Sequence, residues 1–87
     1  RVIVTRDTDT GISGVEDLRG QVVSVQRNSS HHSFLLSYPE INLSLYESFE
    51  EGLTAVAMGT EKVFVGNLAT TDYFIRSNAL TNSLALL

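Results

Sequence analysis

Along this chain, short apolar runs alternate with stretches in which apolar residues recur every three or four positions, the pattern of strands separated by helices. Val2 to Thr5 reads as a strand, and Arg6 to Gly11, rich in Asp, Thr and Gly, reads as a loop. Ser13-Gly14-Val15-Glu16 has the spacing of a capping box, which predicts a short helical turn closed by Gly20. Gln21 to Val25 carries Val22, Val23 and Val25; this run is too short and too β-branched for an amphipathic helix, so a strand buried on both faces is predicted. Asn28, Ser29 and Ser30 then offer cap residues to a helix whose apolar side holds Phe34, Leu35 and Leu36, and Tyr38-Pro39 stops it.

The second half repeats the alternation. Leu43 and Leu45 alternate with Asn42 and Ser44, as in an edge or half-buried strand. Ser48-Phe49-Glu50-Glu51 is a second capping box, and Phe49, Leu53, Val56 and Ala57 share one face of a helix that Gly59 ends. Val63 to Val65 reads as a core strand, Asn67 or Thr70 caps a helix with Ala69, Tyr73 and Phe74, and Leu84 to Leu87 reads as a last strand. Strands and helices alternating at this spacing imply right-handed crossovers and an α/β fold, a mainly parallel sheet in a three-layer α/β/α arrangement. The loop after Val65 is then aimed at a cleft, because ligands of open α/β sheets lie beyond the carboxyl ends of the parallel strands.

Composition narrows the function classes. At 87 residues the chain holds one domain with one modest core. A net charge of -4, with six scattered basic residues, offers no stripe to neutralise phosphates and argues against nucleic-acid binding. No apolar run approaches a membrane span, so direct membrane insertion of this segment is not expected. Cysteine is absent, which removes disulfides, thiolate chemistry and cysteine-ligated zinc. His31 and His32 are adjacent, point roughly 100° apart on a helix and lack an evident third ligand, so no metal or other cofactor is expected. No G-x-S-x-G, H-E-x-x-H or G-x-x-x-x-G-K-[ST] motif is present, and a catalytic role is not expected.

The segments Asp17 to Val25, Asn28-Ser29-Ser30, and Glu51-Gly52-Leu53 through Gly59 to Val63 stand in an order that resembles the second lobe of a type 2 periplasmic binding protein, the solute-binding family 3 or Venus flytrap fold. Val65 to Arg76, followed by Leu80-Thr81-Asn82, is more similar to periplasmic sensor lobes of hybrid histidine kinases of the virulence-sensor type than to transport proteins. The resemblance implies that residues 1–87 form one lobe, with hinge strands near 1–5 and 83–87 leading to a missing first lobe. It also implies a small polar or anionic solute, an amino acid among the candidates, held in the cleft between lobes.

The ligand-contacting positions implied are Asn28, Ser29, Ser30, His31 and Asn67, with Arg27 beside the turn. Two departures from the family pattern carry chemistry. Amino-acid binders of this family place an aspartate after the third strand, where this chain has Asn67, which brings no full charge to an α-ammonium. Asn28 replaces a glycine of the binding turn and is among the few residues that tolerate positive φ. The expected function is ligand sensing in the periplasm as part of an inner-membrane sensor kinase. The alternatives are a free solute-binding protein of an amino-acid transporter and the effector lobe of a LysR-type regulator. An isolated lobe is also expected to self-associate through its exposed cleft face.

Overall fold

The structure, a computed structural model, describes residues 1–87 throughout. Five strands form one sheet in the order β3-β2-β4-β1-β5: β1 (Val2–Arg6), β2 (Val22–Gln26), β3 (Asn42–Tyr46), β4 (Val63–Gly66) and β5 (Leu84–Leu86). The helices are α1 (Ser30–Leu35), α2 (Phe49–Met58) and α3 (Leu68–Ser77), and a 3-10 turn spans Val15–Leu18. β2 pairs in parallel with both β3 and β4. β1 runs antiparallel to β4 and to β5, so the sheet is mixed, and β1 alone opposes the direction the other strands share.

Side chains of β4 divide the core between the two faces. Val63 and Val65 point to one face and join Val23, Val25, Leu18, Leu35 and Ile41. Phe64 points to the other and joins Val4, Leu53, Val56, Ile75 and Leu84. The sheet thus lies between α1 with the 3-10 turn on one side and α2 with α3 on the other, the three-layer arrangement expected from the sequence. The chain moves outward from β2 to β3 through α1, then back past β2 to β4 through α2. Two crossovers of the same hand that travel in opposite directions must place their helices on opposite faces.

Local chemistry departs from the sequence reading in three places. The first helical turn starts one residue later than the S-x-x-E spacing suggests: Gly14 is its cap and Asp17 its third residue. Asp17 Oδ2 therefore accepts from Ser13 N at 2.9 Å, Ser13 Oγ at 3.1 Å and Gly14 N at 3.2 Å, while Glu16 is left to pair with Arg19 Nε at 2.7 Å. In the second box Ser48 Oγ accepts from Glu51 N at 3.3 Å but donates its own proton to Glu51 Oε1 at 3.0 Å, so the return bond goes to the hydroxyl rather than the backbone. In β2 only Val23, Ser24 and Val25 are buried, and Val22, the first residue of the strand, is exposed. Ser24 is accommodated in the core by donating to Val63 O at 2.7 Å.

Candidate functional site

The strand order reverses at the β2/β4 boundary, and there the loops leaving the two strands part to opposite faces. β2 runs through Arg27 to Ser29 into α1, and β4 runs through Asn67 into α3 on the other side. A crevice opens between such diverging loops at the carboxyl ends of parallel strands. Here it has a volume of about 110 Å³ and is lined by Gln26, Ser29, Ser30 and His31 from the β2 side, with Phe49 from α2 and Gly66, Asn67 and Thr70 from the β4 side.

The turn on the β2 side is held by its own hydrogen bonds. Asn28 adopts φ 63, the left-handed region that asparagine tolerates, and so reverses the chain between strand and helix. His32 Nδ1 accepts from Asn28 N at 3.0 Å and fixes this reversal. Ser29 caps α1: its Oγ accepts from His32 N at 3.1 Å and donates to Gln26 O at 2.8 Å. The Ser29 hydroxyl is thus engaged within its own turn, whereas Ser30, at the first helical position, is exposed. Arg27 Nε pairs with Glu47 at 2.8 Å beside β3 and Arg27 does not line the crevice, and neither does Asn28.

His31 is half-buried, lines the crevice, and has an Nδ1 that is buried without a hydrogen-bond partner. Burial, followed by the positive charge of Arg1, pulls its pKa below the ordinary 6.5 and favours the neutral ring. On the β4 side Asn67 caps α3, its Oδ1 accepting from Thr70 N at 3.0 Å, which leaves the amide nitrogen for other partners. No aspartate, glutamate, lysine or arginine is among the lining residues, so the crevice offers hydrogen-bonding groups and no carboxylate, ammonium or guanidinium. No group of three His, Cys, Asp or Glu is placed to hold a metal ion.

Gln26, Phe49, Phe64, Val65, Gly66 and Thr70 complete the lining and were not singled out as contacts by sequence reasoning. Gly66 admits the aromatic floor: a Cβ there would stand 2.9 Å from Phe64 Cζ and 3.3 Å from Thr71 Oγ1. A glycine directly after a buried strand was the available signal. Both chain ends rise at the same end of the sheet. Val2 is opposite Gly66, and Ile3 and Leu87 exchange backbone hydrogen bonds of 3.2 and 2.8 Å. No helix is long and apolar enough to cross a membrane.

No protein-family model matches the chain. It is 37% identical over 60 residues to the virulence sensor protein BvgS of Bordetella bronchiseptica, an alignment covering 68% of this chain and 5% of that protein. A solved histidine kinase sensor domain with similarity to periplasmic binding proteins superimposes with TM-score 0.86 at 31% identity, over 98% of this chain and 37% of that one. An ancestral arginine-binding protein bound to arginine superimposes with TM-score 0.88 at 19% identity, over 99% and 39% of the two chains. The periplasmic VFT2 domain of Bordetella pertussis BvgS does so with TM-score 0.83 at 24% identity, over 98% and 36%. The chain therefore spans well under half the length of each of these proteins. Its fold is that of a periplasmic-binding-protein lobe, the half-unit from which a Venus flytrap sensor is built.

Proposed function

We propose that the chain is the second lobe of a two-lobe, non-catalytic ligand-sensing domain in the periplasm, part of a membrane-bound sensor histidine kinase. The observation that carries this reading is the position of the chain ends. β1 begins and β5 ends at the end of the sheet that carries the switch-point crevice, with Val2 opposite Gly66 and Leu87 bonded to Ile3. This placement supports two hinge strands leading to a first lobe that closes on the crevice. The similarity to a histidine kinase sensor domain and to BvgS supports the sensor role over transport.

A small polar solute enters the open cleft and takes hydrogen bonds from Ser30, His31 and Asn67 on this side and from the first lobe on the other. Asn28 and Ser29 hold the turn that presents Ser30 and His31, while Arg27 braces its outer side against Glu47. Because the solute touches both lobes only when they are closed, it shifts the population toward the closed form, and the lobe motion is passed to the membrane segment. The parent open reading frame and its activity test this. First-lobe sequence flanking both ends, a downstream membrane span with a kinase, and autophosphorylation that responds to a solute support the reading. A signal peptide without a kinase would make the chain part of a transport protein, and an upstream helix-turn-helix would make it a regulator's effector lobe.

A further inference from the structure

On the flank of the domain a second hollow of about 370 Å³ lies between the start of α2 and the length of α3. Its walls are Phe49 and Phe74, packed edge to face with ring centroids 6.1 Å apart, and Tyr73, which is 74% exposed. Glu50 is its one charged lining residue. An exposed tyrosine beside two phenylalanines leaves apolar surface without a partner in the folded chain.

This groove adjoins the crevice. Phe49 and Thr70 line both hollows, so one edge of the switch-point site is also the head of the groove. The two parts differ in chemistry: polar, uncharged and donor-bearing at Ser30, His31 and Asn67, and aromatic along Phe49, Tyr73 and Phe74. Resting on the solute-binding reading above, we infer that the solute is amphipathic, a hydrogen-bond-accepting head such as a carboxylate in the crevice with an apolar or aromatic tail lying in the α2–α3 groove. The groove then selects among solutes by tail length, while the absence of a carboxylate from the crevice withholds the charge partner that an α-ammonium requires.

The probes are acetate, butanoate, hexanoate and 3-phenylpropanoate, titrated into the two-lobe parent domain and followed by the amide NMR resonances of residues 1–87. Acetate moves crevice resonances alone. The longer acids also move Tyr73, Ser77 and Asn78, and apparent affinity rises about two- to fourfold per methylene that enters the groove. Tyr73→Ser, at an exposed position, abolishes the gain of the longer acids and leaves acetate unchanged. Uniform affinity across the series with shifts confined to the crevice would overturn the groove and leave solute binding intact. Shifts in the groove without the crevice would assign it to a separate occupant and overturn the inference. A crevice silent toward every acid would overturn both the inference and the reading beneath it.

Discussion

Tyr46 Oη donates to Glu61 Oε2 at 2.7 Å, and the same oxygen accepts from Ser44 Oγ at 2.6 Å. One carboxylate thus ties β3 to the segment entering β4, and Arg6 closes the other side through Val56 O at 2.8 Å and Glu61 O at 3.1 Å. Tyr46→Phe is expected to cost about 1–2 kcal/mol, since it removes a part-buried bond to a charged acceptor. The bond to Glu61, then burial, raises the Tyr46 pKa above 10.0. A raised folded pKa contributes stability below the unfolded value and loses it as pH rises through the folded one. Wild type should therefore lose stability above pH 10 more steeply than Tyr46→Phe, read from urea midpoints.

Gly52 and Gly66 bracket the Phe64 ring. A Cβ on Gly52 would lie 2.9 Å from Phe64 Cδ1 and Cε1, and one on Gly66 would lie closer still to Phe64 Cε2. Phe64 is fully buried among residues of β1, α2 and α3 and has nowhere to retreat. Alanine at either position is expected to cost about 1–3 kcal/mol by overpacking, measured by denaturant unfolding, with Gly66→Ala also narrowing the crevice.

Asn67→Asp separates cap from contact. Aspartate caps a helix as well as asparagine does, so the melting temperature should change little. The new carboxylate gives the crevice the charge partner it lacks, and the variant should gain affinity for primary amines and α-ammonium compounds while losing it for carboxylates. Calorimetric titration of both proteins with one amine and one carboxylate reads this directly.

His31 should make stability fall on acidification. Its pKa is depressed from 6.5 chiefly by burial, so the folded chain binds fewer protons than the unfolded one. Its contribution is present above that value and is lost as pH falls through the folded pKa. Unfolding midpoints across that range should drop more in wild type than in His31→Gln.

Much of this architecture was legible because it rests on local signals. Gly59 at φ 85, the caps at Ser48 and Asn67, and the buried run Val63–Val65 each declare themselves within a few residues. The turn at Asn28 to Ser30 was legible too, although which hydroxyls it keeps for itself was not. Ser29 spends its oxygen on His32 N and Gln26 O, a choice set by the φ of Asn28 and not by residue type. The antiparallel placement of β1 beside β4 was missed for another reason. Strand direction in a mixed sheet follows from the path of the whole chain, and Val2 to Thr5 carries no mark of it. Phe49 and Thr70 looked like a core residue and a cap because their common position at the crevice appears only when α2 and α3 are packed on one face.

A thermal-shift screen of the two-lobe parent region against small carboxylates, amides and amino acids tests the central claim, that a solute is bound at the β2/β4 crevice. A ligand at about a hundredfold its Kd stabilises the native state by about 2.7 kcal/mol, enough to raise Tm by several degrees. Such a shift is expected with at least one compound, together with its loss in Thr70→Trp, which places a large ring in the crevice wall. A shift that survives Thr70→Trp unchanged, or no shift with any compound, would contradict that claim.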